Sequence, residues 1–261
     1  MATIEADGET AMTDLAEVRR IEAVSFRSFP STTTHYDGTW AIRLTAGHPA
    51  KRLNSVTPLD PNDISNLEKR LELARRRFEG FGRPLIFRQS PLSPPLLGQL
   101  LNDMGWDRFD ESLVMAATLD RAVLEDAVDQ VPLQDTGRWV DAWLYLSGED
   151  ASSKPGLVEV ISAIKAETGL FLVEAPGGEP VSAVRCVRDN DLAGIFEMET
   201  EAGRRRRGHG ASVLASALKW AAAHGAQNAW LQVVADNDAA RHLYERFGFA
   251  ELYRYHYRQQ Q

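Results

Sequence analysis

Apolar residues recur at spacings of three and four through some stretches of the chain and alternate with polar ones through others, and this change of period divides it into elements. Leu67, Leu71, Ala74 and Phe78 predict a helix over residues 62–78, with Asp63 as its N-cap and Gly82 and Pro84 past its end. Strands are predicted at 40–44, 51–56 and 85–88, a short helix at 96–104 stopped by Gly105, and a strand at 112–119. An acidic, turn-rich stretch follows at 121–137, and then helical periodicity returns at 137–146. A second helix opens at Pro155 and carries Leu157, Val160, Ile161 and Ile164 on one face. Strands at 170–174, 181–188 and 192–200 are joined by hairpin-type turns, which makes them antiparallel. A helix of small residues at 208–224 leads to a strand at 229–234, parallel to its predecessor because a helix intervenes. A helix at 238–247 ends at Gly248, and residues 249–257 form the last strand, in which Tyr253, Tyr255 and Tyr257 alternate with Arg254, His256 and Arg258. Residues 1–20 are polar, with weak helical character.

A shift of 143 residues lays the first half on the second without gaps from Leu67 onward, pairing Leu71 with Leu214, Gly82 with Gly225, Leu100 with Leu243 and Gly105 with Gly248. Helix, strand, helix, Gly-aromatic and strand recur in the same order and spacing. The fold class is therefore α+β, two like units of mixed sheet flanked by helices, divided into residues 1–125 and 126–261.

Composition narrows the class of protein. One chain of 261 residues, 44% hydrophobic and 25% charged, is globular, not disordered. A net charge of -8 disfavours nucleic acid or an anionic membrane over the whole surface, though not a local basic site. Cys186 is the single cysteine, so no internal disulfide forms, and no Cys/His spacing suits a metal. Residues 1–14 carry acids and no apolar core, unlike a signal peptide, and no apolar run of about 20 residues suits a membrane. A cytoplasmic protein, monomeric or homodimeric, without metal, is the expectation.

The chemistry concentrates in Arg204-Arg205-Arg206-Arg207-Gly208-His209-Gly210-Ala211, between a strand and a helix. Glycines let backbone N–H groups turn into a nest, a helix N-terminus adds partial positive charge, and arginines supply charged donors, which together make a phosphate cradle. It is neither a Walker loop nor a dinucleotide fingerprint. Arg205-x-x-Gly208-x-Gly210, followed by Asn237-x-x-Ala240-x-x-Leu243-Tyr244-Glu245-x-x-Gly248-Phe249, resembles the pyrophosphate loop and fourth helix of the GNAT N-acetyltransferase superfamily, over about residues 130–261. The first half resembles the degenerate copy of tandem members. At the repeat offset it has Leu101 for Tyr244, Pro94 for Asn237, and residues 62–67, without glycine or arginine, for the loop.

The resemblance implies attack of a primary amine on the thioester of acetyl-CoA in a ternary complex, with acetyl-CoA as cosubstrate. Tyr244 is then the acid that protonates the departing thiolate. Arg205, Arg206, Arg207, Gly208, His209, Gly210 and Ala211 hold the pyrophosphate, and the backbone of Met198, Glu199 and Thr200 pairs with pantetheine. Asn237 contacts the pantetheine arm or caps its helix. The positions where relatives carry a basic glutamate are Gln232 and Gly194, neither of which accepts a proton. The nearest carboxylates are Glu197 and Glu199, which alternation puts on one strand face opposite Phe196 and Met198; Glu197 is the first candidate for the base, and surface carboxylates are the plain alternative. The acidic chain suits a small cationic amine such as a polyamine, amino sugar or amino-acid derivative. A non-catalytic acyl-CoA sensor and, less favoured, a nucleic-acid module using Arg204–Arg207 are the rival readings.

Overall fold

In the computed structural model, which describes residues 14–120 and 124–260, ten strands make one continuous sheet. The first half runs α1 (Leu15–Ser28), β1 (Thr33–Asp37), β2 (Trp40–Leu44), β3 (Ser55–Pro58), α2 (Leu67–Gly80), β4 (Ile86–Gln89), α3 (Pro95–Asp103) and β5 (Asp107–Thr118). The second runs α4 (Thr136–Ser147), α5 (Lys154–Ala163), β6 (Glu167–Glu174), β7 (Pro180–Asp189), β8 (Leu192–Thr200), α6 (His209–Ala223), β9 (Asn228–Val234), α7 (Asp238–Glu245) and β10 (Ala250–Gln259). The strand order is β1-β2-β3-β4-β10-β5-β9-β8-β7-β6. Each half lends its last strand to the other: β10 lies antiparallel between β4 and β5, and β5 lies antiparallel between β10 and β9. The 143-residue shift carries α2 onto α6, β4 onto β9, α3 onto α7 and β5 onto β10.

The elements form close to where the sequence period says, except that β5 begins at Asp107, ahead of the predicted 112, and with four further differences. Residues 15–28 form a full helix, because Val18, Ile21 and Val24 give it a narrow buried stripe among charges and Asp14 accepts from Ala16 N at 2.8 Å as its N-cap. The rest of the acidic leader, residues 1–13, lies outside the described residues. β1 has no apolar residue to announce it except Tyr36; it is an exposed edge strand. Lys51–Leu53 is a 3-10 turn, so β3 begins only at Ser55. α2 begins at Leu67, and Asp63 does not cap it: its carboxylate accepts from Thr39 N and Oγ1 at 3.0 and 2.7 Å and pairs with Arg70.

One face of the second half is covered by α6 and α7, with Val213, Leu214, Ala217 and Tyr244 packed on Val184, Ile195 and Leu231. The opposite face is covered centrally by α1, whose Val18, Ile21 and Val24 pack with Val114, Phe196, Trp230 and Tyr255. α4 and α5 cover that half's outer strands. Tyr253, Tyr255 and Tyr257 are all buried on the α1 side, where Glu22 accepts from the Tyr253 hydroxyl at 2.7 Å and from Arg88 at 2.6 Å. α1 thus belongs to the first half in sequence and seals the centre of the whole sheet.

Candidate active site

β8 and β9 pair in parallel only from Leu192–Asn228 to Ile195–Leu231, then part, leaving the ends of both strands on the two arms of a fork. A β-bulge in β8 helps to turn it away. Arg185 of β7 faces Phe196, but Ala183 faces Glu199, so β8 carries one extra residue, and Glu197 has a φ of 45°. The bulge breaks the alternation expected here. Phe196 packs on the α1 face while Met198, two residues on, packs with α6 and α7, so these two are not a common face opposite the glutamates.

The arginine-rich loop closes the α6 side of the fork. Arg206 and Gly208 have φ values of 60° and 87°, the left-handed turn that points successive amides outward, and Gly208 is the N-cap of α6. The first intrahelical bond in α6 runs from Ser212 N to Gly208 O, which leaves the amides of residues 208–211 without helical partners. Arg205 Nε donates to Thr200 O at 3.1 Å and ties the loop to the end of β8; Arg205, Arg206, Arg207 and Gly208 are exposed, and His209 and Ala211 half-buried. A Cβ on Gly210 would come within 3.1 Å of Thr200 Oγ1 and 3.2 Å of Met198 Cε, so a larger residue here would need those side chains to shift by a few tenths of an ångström.

Tyr244 stands on α7 across from this loop. Its hydroxyl donates to Met198 Sδ at 3.7 Å, and its ring meets Phe249 edge-on. Burial, then the negative charge of Glu199, pushes the phenol up to about 12. Burial also raises the Glu199 carboxyl above its ordinary value, against the pull of Arg205 at 3.7 Å. Glu149, on the loop after α4, is raised by burial and by the charge of Glu197. Asn237 caps α7, its Oδ1 accepting from Ala240 N at 3.1 Å. Glu197 is engaged differently: both its oxygens accept from Arg185, one of them at 2.9 Å from Nη2, and Arg185 is fully buried, with Nη1 bonded to Ser28 O at 2.9 Å. A carboxylate held in such a fork is poorly placed to take a proton.

Met198, Thr200, the 205–211 loop and Tyr244 thus meet on the α6–α7 side of the fork and Asn237 caps α7, while Glu199, which pairs with Ala183 on the face covered by α4 and α5, lies with Glu197 on the other side. Arg185 escaped sequence reasoning, although its place among Val181, Val184 and Val187 on an apolar strand signalled a buried cation, and the short turn to β8 signalled where its acid would be. In the first half the corresponding loop is occupied from within. Asn66 keeps the left-handed conformation at the start of α2 (φ 52°), but Arg70, buried over the Trp40 ring, pairs with Asp63 at 2.8 Å. Burial opposes ionisation of Asp63, yet hydrogen bonds from Arg70 and Thr39 hold its carboxyl down at about 2, so an ion pair with Arg70 stands in that loop.

A strand fork flanked by an amide nest at a helix start and a tyrosine on the following helix defines a GNAT-type acetyltransferase fold, here with two like halves, and the chain is a member of that superfamily. Within it, residues 15–258 match the family described as "Probable histone acetyltransferase Rv0428c C-terminal", and the chain belongs to that family. It is 26% identical over 249 residues to "Uncharacterized N-acetyltransferase YobR" of Bacillus subtilis (strain 168), covering 93% of this chain and 98% of that protein. A GCN5-related N-acetyltransferase from Kribbella flavida superposes with a TM-score of 0.67 at 18% identity, over 96% of each chain. A tandem GNAT protein from the clavulanic acid biosynthesis pathway superposes at 0.64 and 14% identity, over 92% of this chain and 87% of that one. Among the described residues no helix is long and apolar enough to cross a membrane, and no cluster of three or more His, Cys, Asp or Glu side chains is placed to hold a metal.

Proposed function

We propose that the chain transfers the acetyl group of acetyl-CoA to a primary amine by direct attack in a ternary complex. The observation that carries this reading is the β8–β9 fork with free amides of 208–211 at one end and the Tyr244 hydroxyl at the other. The amides and Arg205–Arg207 bind pyrophosphate, and the Met198–Thr200 edge that β9 leaves offers backbone bonds to the pantetheine amides, Arg205 giving up its bond to the Thr200 carbonyl. Tyr244, raised to about 12, stays protonated at neutral pH and hands its proton to the thiolate as the thioester breaks. Glu199 takes the proton that the ammonium must lose, in place of Glu197, whose oxygens Arg185 occupies; its raised carboxyl suits a base. Asn237 orders the start of α7 and so sets Tyr244. Residues 1–125 do not bind CoA in this reading, because the Asp63–Arg70 ion pair fills the place where the second half turns its amides outward.

Calorimetry with acetyl-CoA should give one site per chain, and saturating ligand should raise Tm by the mass-action stabilisation of the folded state, about 2.7 kcal/mol at a hundredfold excess over Kd. Absence of any binding would overturn the reading. A non-catalytic acyl-CoA sensor is favoured by one observation, the engagement of Glu197 by Arg185; thiol release over a panel of amines separates an enzyme from a sensor.

A further inference from the structure

On the α1 side of the fork stands a cation that the reaction described so far does not use. Arg52, in the turn before β3, donates to Gln232 Oε1 at 3.3 Å and lies over the rings of Phe29 and Phe196 at 4.8 and 6.0 Å. Phe196 and Gln232 are the first residues of β8 and β9 beyond their last paired positions, Ile195 and Leu231. Arg52 therefore bridges the apex of the fork from the face opposite Met198 and Tyr244. Gln232 is fixed there by Ser25 and by the Tyr255 hydroxyl.

The surroundings are basic, although the chain carries a net charge of -8. Arg43 donates to the carbonyls of Arg52, at 2.8 Å, and Phe29, and Arg83 donates to the Ala46 carbonyl at 2.9 Å. Arg185 and Arg88 are already neutralised by Glu197 and Glu22. Among the described residues, Arg43, Arg52 and Arg83 form no ion pair, and of the three Arg52 is half-buried with one hydrogen bond for its five donors. Its neighbour His48 packs edge-on against Phe29, and His48 Nδ1 accepts from Ala50 N at 3.2 Å. In the neutral ring the proton is then on Nε2, so His48 adds a donor, not a base. The loop carrying His48 is pressed on α5: a Cβ on Gly156 would stand 1.7 Å from Gly47 O. Both donors are thus held against the second half.

We propose that Arg52 is a specificity-determining residue that selects amines bearing a carboxylate, free amino acids or small amino-acid derivatives, by pairing the carboxylate with the guanidinium N–H groups it leaves unbonded, its plane backed by the Phe29 and Phe196 rings, with help from His48. This rests on the acetyltransferase reading above. A planar guanidinium fork matches a carboxylate in two parallel bonds, and the aromatic floor removes competing water. The amine end of such an acceptor then reaches the fork, where Glu199 and the thioester meet. The first half, without a CoA site, supplies the acceptor selectivity of the second.

The test is thiol release from acetyl-CoA with matched triplets: an amino acid, its amide and its decarboxylated amine, with aminoalkyl phosphates as a further arm. The carboxylated member should win in kcat/KM. Arg52→Ala should shrink that preference roughly 10–100-fold, the worth of a charged hydrogen-bonded contact, through KM, with kcat held, and Arg52→Lys should restore part of it. Equal or better use of the amide, the amine or the phosphate by the native enzyme overturns the proposal, as does an equal loss on all three members in Arg52→Ala. If acetyl-CoA binds but no triplet is turned over, the acceptor class is wrong and the acetyltransferase reading stands. If acetyl-CoA does not bind, that reading fails, and saturation-transfer NMR with N-acetyl amino acids against their amides, on native and Arg52→Ala protein, still decides whether Arg52 holds a carboxylate.

Discussion

Tyr244 and Glu199 are separable by pH and by single atoms. Tyr244→Phe removes one hydroxyl from a buried ring whose packing on Phe249 remains. Acetyl-CoA should bind as before in calorimetry, while kcat falls about 10²–10⁴-fold, the range for a positioned acid. The same variant has a stability signature. The folded-state phenol is raised from 10 to about 12, so the folded protein holds this proton more tightly than the unfolded chain does. That contribution is complete below pH 10 and is lost as pH climbs through about 12. Native protein should therefore lose urea midpoint faster than Tyr244→Phe over this interval, and parallel curves would refute the burial assigned to the hydroxyl. Glu199→Gln should slow turnover at neutral pH and recover toward high pH, where more free amine exists. A deficit independent of pH would assign Glu199 to binding instead.

At the scale of elements the bulge in β8 and the turn into α6 carry the site, and each has a measurable cost if disturbed. Arg185→Ala leaves Glu197 buried without its partner and should destabilise by about 3–5 kcal/mol in urea unfolding. Gly208→Ala places a side chain at φ 87°, which costs about 1–2 kcal/mol and should weaken acetyl-CoA binding by displacing the amides. These same elements mark the limit of what periodicity reveals. The α6 and α7 helices, the hairpins of β6–β8 and the 205–211 loop were legible because apolar spacing, turn residues and glycines all agree there. The bulge was not, since one extra residue in a strand leaves the composition Phe196-Glu197-Met198-Glu199 looking like simple alternation. β1 was invisible because an exposed edge strand needs few apolar side chains. Arg52 at the fork was unreadable because it reaches Gln232 only through a contact between residues 180 apart in sequence.

For the whole molecule, the exchange of β5 and β10 predicts one cooperative unit. We propose residues 1–125 and 126–261 as two copies of one ancestral unit, yet each needs a strand from the other to complete its sheet. Heat or urea should give a single transition, coincident by circular dichroism and tryptophan fluorescence. Either half expressed alone should remain unfolded or aggregate through the open edge of β4 or β9, and co-expression should recover the complex. Two separate transitions would show that the strand exchange does not couple the halves.

That exchange also bears on how the two clefts came to differ. Two identical chains trading their terminal strands across a two-fold axis would build this same sheet, and every substitution in such a dimer would appear in both subunits at once. Joining the copies in one chain frees each from the other's sequence while the interlocked strands forbid discarding either. One copy was therefore at liberty to carry Asp63 and Ser65 where the other carries Arg206 and Gly208, and to be retained for the surface it presents to its neighbour. Chemistry kept in one half and selectivity supplied by the half that lost it are, on this view, a division of labour made possible by asymmetry that a symmetric ancestor lacked.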